Sequence, residues 1–156
     1  MANHCLRGQP LPKSGGGLAR GTRDNLNLAI GRGDLDAVKR FLFDDGVDAN
    51  DPLLIDGAGW TPLHRACAFG HVQIVDALLD SGADPGVTDR DNNTPMTRAT
   101  IVGALDIVAS LAAFNPRKSN TMYGGCSERT MATKYHHTDI VKLLDGDLSV
   151  LETEDE

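Results

Sequence analysis

Apolar residues recur along this chain in short paired runs at helical spacing. Between Asp56 and Thr88, Leu63, Ala66 and Cys67 mark one face, Val72, Ile74, Val75, Leu78 and Leu79 mark a longer one, and Gly70 separates them. Spacings of three and four residues belong to one side of an α-helix, so the stretch predicts two short helices with a turn. Thr61 offers an N-cap, and Pro62 stands at the first helical position, where its missing N–H costs nothing and its φ is already set. Gly82 ends the second helix, since glycine enters the left-handed region freely. Two helices this short cannot bury both of their apolar faces against each other. The unit therefore predicts neighbours.

The chain supplies them. Asp56 recurs as Asp89, Thr61-Pro62 as Thr94-Pro95, Ala66 as Ala99, Gly70 as Gly103, Ile74-Val75 as Ile107-Val108 and Leu78 as Leu111, each 33 residues on. Ala132, Asp139-Ile140-Val141 and Leu144 extend the register by a further 33, and Ala29, Gly33, Val38 and Leu42 precede it by 37, which gives the first unit a longer loop. A period of 33 with Thr-Pro-Leu-His opening the first helix resembles the ankyrin repeat family. The resemblance covers roughly residues 24 to 148 and is sharpest in the second unit. It implies an all-α fold, an ankyrin-repeat α-solenoid of helix-turn-helix units joined by β-hairpin fingers, acting as a binding scaffold without chemistry of its own. The expected organisation is a disordered tail over 1–22, a repeat domain over 23–148 and an acidic tail over 149–156. Within the domain the repeats fall at about 23–55, 56–88, 89–121 and 122–148.

The ends of the register depart from it. Pro10, Pro12, Ser14 and Gly15-Gly16-Gly17 bury too little apolar surface to offset their ordering entropy. Asp24 then offers an N-cap, and a second helix is expected from Leu35 to about Phe43. The loop after Gly46 contains Pro52-Leu53-Leu54-Ile55, an apolar run that either tucks against Trp60 or the next finger or is presented to a partner. In the third repeat Thr97 replaces His64, which removes the family's bond from the His ring to the preceding Thr hydroxyl; Asn92 replaces Gly59 and Asn115 replaces Gly82. Its finger ends in a basic Arg117-Lys118 tip. Ser127 is the expected cap of the fourth repeat, whose first helix holds Thr130, Thr133, Lys134 and His136 and few core residues. This repeat is expected to be the least stable.

Charge and cysteine content narrow the function. A net charge of −7 argues against nucleic-acid binding through phosphate neutralisation. The basic first 23 residues and the acidic last dozen read as solvated tails, with docking of the basic arm on an acidic partner as the alternative. Cys5, Cys67 and Cys126 are odd in number and scattered, so a disulfide framework is not expected and the cytosol or nucleus is. No apolar stretch reaches membrane-span length. His136-His137 with Cys126 is the one metal-like cluster, but adjacent histidines on a helix point about 100° apart and no second paired ligand follows. No phosphate-binding glycine motif is present. Neither metal, cofactor nor enzymatic activity is expected, and the chain alone is expected to be monomeric.

The recognition surface is the stronger signal. In ankyrin-like stacks the finger tips and the exposed side of each first helix form a concave groove, and the 33-residue register carries those positions through the chain. Trp60 and Phe69 fall there from the second repeat, Arg90, Ile101 and Val102 from the third, and Tyr123, Lys134 and Tyr135 from the fourth. Phe69, Val102 and Tyr135 are equivalent and predict a row across three repeats. Aromatic side chains are only 4% of the chain, yet four of the seven lie at these positions, as interface anchors do. The alternative is that Trp60 covers its own hairpin and Phe69 packs under a neighbouring finger. Arg65, Arg90, Arg98, Arg117 and Lys118 stand near the aromatics, so the expected partner is a protein with apolar groups flanked by carboxylates. It is engaged by an adaptor, or occluded by a stoichiometric inhibitor similar to the kinase-inhibitor branch of the family. Asn50, eight residues after Leu42 and two after Asp48, resembles the finger asparagine recognised by asparaginyl hydroxylases and also suits a turn residue bonding the hairpin backbone.

Overall fold

A computed structural model describes residues 20–114 and 128–146. These form helix pairs: α1 (Arg20–Arg32) with α2 (Leu35–Lys39), α3 (Pro62–Phe69) with α4 (Val72–Asp80), α5 (Pro95–Val102) with α6 (Leu105–Phe114), and α7 (Glu128–Lys134) with α8 (Thr138–Leu144). The chain leaves α2 through a π-helical turn over Arg40–Asp44. First helices lie beside first helices and second beside second, so the pairs stack into two layers. A single core runs between the layers, through Ile30, Val38, Leu63, Val75, Leu78, Ala99, Val108, Leu111, Ala132 and Ile140. Each fully buried Leu, Ile or Val contributes roughly 1.5–3 kcal/mol, which short helices obtain only from their neighbours.

Local chemistry sets the ends of the inner pairs. The Thr61 hydroxyl accepts from the His64 N–H, and His64 Nδ1 accepts in turn from the Thr61 N–H at 3.3 Å, closing a capping box around Pro62. Thr94 caps α5 through the Thr97 N–H at 3.1 Å, and the two hydroxyls bond at 3.0 Å in place of the histidine ring. Gly70 and Gly103 close these helices at φ 76° and 83°. At Gly103 a side chain is excluded twice over, because a Cβ there would also lie 2.5 Å from the His137 ring.

The connections differ from the expected β-hairpins. Among the described residues there is no strand. The Asp56 carboxylate accepts from the N–H groups of Ala58 and Trp60, and the Asp89 carboxylate from those of Asp91 and Asn93. A carboxylate thus takes donors a partner strand would use, leaving two backbone bonds within each loop: Asp56 N–H to the Trp60 carbonyl and Gly59 N–H to that of Asp56, and Asp89 N–H to the Asn93 carbonyl and Asn92 N–H to that of Asp89. Asn92 adopts φ 59°, as its glycine-equivalent position requires.

The start of the domain also differs. α1 begins at Arg20 rather than at an Asp24 cap, so residues 20–22, expected in the tail, are helical. The Asp24 carboxylate is engaged by Arg23 Nε at 3.2 Å, so the N–H groups it was expected to cap stay in the helix ladder. Leu54 turns inward through a 3-10 turn over Pro52–Leu54 and is 0% exposed, which favours tucking over presentation. Residues 1–19, 115–127 and 147–156 lie outside the described residues, and with them the rest of the expected tails, Asn115, the Arg117-Lys118 tip, Tyr123, Cys126 and the Ser127 cap.

Candidate functional site

The repeat register places Phe69, Val102 and Tyr135 at the C-terminal ends of α3, α5 and α7, which are neighbours in the inner layer. All three remain open to solvent, at 51%, 51% and 43% exposure, in a layer whose other apolar residues are mostly covered. Each stands at the end of its helix, one turn beyond the inward-facing Ala66, Ala99 or Ala132, where the chain turns back and no further helical turn covers it. Single exposed apolar side chains are ordinary, whereas three at equivalent positions on adjacent helices mark one face of the stack.

Two of the three side chains are held in place by a neighbouring ring. The Phe69 ring stacks on His71 with centroids 6.3 Å apart and planes at 28°, and Tyr135 stacks on His137 at 6.4 Å and 21°. Both histidines are N-caps of second helices without side-chain capping bonds, and their rings sit over Gly33 and Gly103 of the preceding repeats. His137 Nε2 also bonds the Ile101 carbonyl at 3.2 Å, whereas His71 Nε2 is buried without a hydrogen-bond partner among the described residues. At the middle of the row, where the aromatic is replaced by Val102, the histidine is replaced by Ala104. Aromatic and histidine are thus present together in the second and fourth repeats and absent together in the third, so each exposed ring of the row is also supported.

The remaining predicted positions divide. Lys134 is exposed, with Nζ 5.7 Å from the Tyr135 ring centroid, and Arg90 is exposed at the turn of the third repeat's finger. Ile101 is half-buried beside Val102. Trp60 is half-buried with the Arg98 guanidinium over it at 4.8 Å and that of Arg65 at 6.0 Å, so it clamps two fingers together. Arg65 and Arg98 are not free for a partner: Arg65 binds Asp56 at 2.6 Å, and Arg98 binds Asp89 at 2.5 Å and Asp91 at 3.0 Å. Asp89 has no exposed side-chain surface. Burial opposes its ionisation, but bonds from Asn93 N–H, Arg98 and Asp91 N–H together hold its carboxyl below the usual range.

Sequence reasoning missed Arg32. The 37-residue offset that aligns Ala29 with Ala66 also aligns Arg32 with Phe69, so the row begins with an exposed cation at the end of α1. Asn50 does more than brace its own turn, since its side chain donates to the Gly82 carbonyl and accepts from the Asp84 N–H, both at 2.8 Å, tying the first loop to the second. Burial pushes the Cys67 thiol up, out of the reactive thiolate range, and makes it a core residue. Among the described residues no group of three or more His, Cys, Asp or Glu is placed to hold a metal ion, and no helix is long and apolar enough to cross a membrane.

Known proteins share this pattern. A 77-residue stretch is 42% identical to the 2-5A-dependent ribonuclease of Mus musculus, covering 49% of this chain and 10% of that protein. The tyrosine-protein kinase HTK16 of Hydra vulgaris is 28% identical over 123 residues, 78% of this chain and 16% of the kinase. Human protein phosphatase 1 regulatory subunit 27 is 40% identical over 70 residues, 45% of this chain and 43% of the subunit. The chain therefore spans only a small part of the ribonuclease and the kinase. The family model described as "Ankyrin repeats (3 copies)" matches residues 26–123, the same stretch in which the paired helices, Thr-Pro caps and Asp-closed loops recur. With period, helix pairs and family match in agreement, the chain belongs to the ankyrin repeat family.

Proposed function

We propose that this chain is an adaptor module that seats a partner protein on its inner face, with Phe69, Val102 and Tyr135 as the central contacts. Ankyrin repeats are protein-interaction elements, and the observation that carries the finer reading is the exposed row of three equivalent apolar residues, two of them braced by histidine rings. Buried aromatic anchors of this kind typically cost ~2 kcal/mol or more when truncated in a true hot spot. The action is stoichiometric and steric, without turnover, in the cytosol or nucleus. A second reading is favoured by the similarity to a phosphatase regulatory subunit: the same face occludes or redirects an enzyme. Affinity recovery from cell extract, run in parallel with a folded Phe69→Ala/Val102→Ala/Tyr135→Ala variant, tests the face. A protein retained by the parent chain and lost with the variant supports it, and equal retention by both contradicts it. Enzyme assays on the recovered partner, with the chain added at 1:1, then separate adaptor from inhibitor.

A further inference from the structure

Charge is segregated between the two layers. The inner helices α1, α3, α5 and α7 hold seven Lys or Arg against two acids, while the outer helices, with the π turn, hold six Asp against three Lys or Arg. The inner cations also differ in what they do. Arg65 and Arg98 are spent on the fingers, Arg23 pairs with Asp24 and Arg129 with Asp145. Arg32, Arg90 and Lys134 are exposed and have no acidic partner among the described residues. They bracket the apolar row, with Arg32 at one end, Lys134 beside Tyr135 at the other and Arg90 on the finger between. The same finger carries two exposed acids, Asp91, which shares Arg98 with Asp89, and Asp84, which accepts from the Gly86 N–H.

Resting on the reading of this face as the binding site, we propose that its partner is an acidic protein segment. Its aliphatic or aromatic side chains would lie on Phe69, Val102 and Tyr135, and its flanking Asp or Glu residues would meet Arg32, Arg90 and Lys134. The net charge of −7 does not forbid this. The outer acids stand about 10 Å behind the inner face, one helix layer away, and at physiological salt the screening length is about 8 Å. A ligand on the inner face therefore responds to the nearby cations more than to the distant carboxylates. The outer layer sharpens selectivity instead, because an acidic segment approaching from behind is repelled.

The test is selection from a displayed library of random 16-residue peptides against the whole chain. The affinity of an enriched peptide is then measured by fluorescence anisotropy for three proteins: the parent, Arg32→Glu/Arg90→Glu/Lys134→Glu, and Phe69→Ala/Tyr135→Ala, each checked for folding by circular dichroism. The expected peptides carry Asp or Glu around two or more large apolar residues. Charge reversal should weaken them by about tenfold or more, and salt should weaken their binding to the parent chain. Neutral or basic peptides that still depend on Phe69 and Tyr135 would overturn the acidic partner while leaving the face intact. Peptides indifferent to both variants, or no enrichment at all, would count against both.

Discussion

The second and third repeats meet differently from the third and fourth. At the first junction both side chains and backbone reach across: His64 Nε2 donates to the Asn93 carbonyl at 2.9 Å, the Arg90 backbone N–H donates to the Ala58 carbonyl at 3.2 Å, and Arg98 lies over Trp60. At the second, the position held by Pro62 and Pro95 is occupied by Glu128, a buried carboxylate that bonds Thr94 and its own N–H. The Asp–Arg finger pair ends there too, because the register puts Met122 and Met131 where Asp89 and Arg98 stand. Both partners change together, so neither charge is left orphaned. Among the described residues, the inner junction is tied by bonds from finger to finger, while the last repeat joins the third through its core, the Glu128–Thr94 bond and His137.

The strongest way to break the inner junction is to remove Asp89. Asp89→Ala leaves two loop N–H groups without their acceptor and the Arg98 guanidinium with only the exposed Asp91, and should cost about 2–4 kcal/mol in denaturant unfolding. Asp56→Ala makes the equivalent cut where the side chain is 25% exposed, and should cost about 1–2 kcal/mol. Equal losses would show that the tie across the junction adds nothing.

Replacing His64 by Thr, as the third repeat does, sharpens the comparison. It removes one of the two donors to the half-buried Asn93 carbonyl, which keeps the Asp89 N–H, for an expected cost of about 0.5–1.5 kcal/mol. Burial lowers the His64 pKa, with the Asn93 carbonyl opposing. Its contribution is therefore fully present above the unfolded value of about 6.5 and declines as pH falls below it. Thermal melts of His64→Thr between pH 7 and pH 5 should accordingly show a shallower decline than the parent; parallel curves would contradict the assignment.

The outer junction responds with the opposite sign. Burial raises the Glu128 pKa against the bonds from its own N–H and Thr94, so its carboxylate costs stability once pH rises through the folded-state value. Glu128→Gln should raise the melting temperature by a few degrees at pH 7 and leave it unchanged below pH 4. No gain at pH 7 would mean that the carboxylate is better solvated than its burial implies. The smallest stability effect belongs to the binding row, where Phe69→Ala should shift unfolding by no more than about 0.5 kcal/mol. A larger loss would make Phe69 a packing residue.

What the sequence revealed follows how local the causes are. Helices α3 and α5 were legible because Thr-Pro at one end and Gly at the other act within a turn of themselves, and α4 and α6 because their apolar stripes keep helical spacing. The exposed row was legible because a fixed period transfers a surface position from one repeat to the next. The contacts of Trp60, Arg65 and Arg98 were not legible because they are closed by residues nine positions away across a finger, or by the next repeat. The early start of α1 was hidden by Asp24, a good cap by composition whose carboxylate is taken by Arg23. The expected hairpins gave way to turns because Asp56 and Asp89 satisfy the N–H groups themselves.

Amide hydrogen exchange of the chain, alone and saturated with its recovered partner, addresses the central claim most directly. Slowed exchange at the C-terminal turns of α3, α5 and α7 and at the finger around Arg90, with α4, α6 and α8 unchanged, is the result the account predicts. Protection confined to the outer helices, with the inner turns exchanging as before, would contradict it.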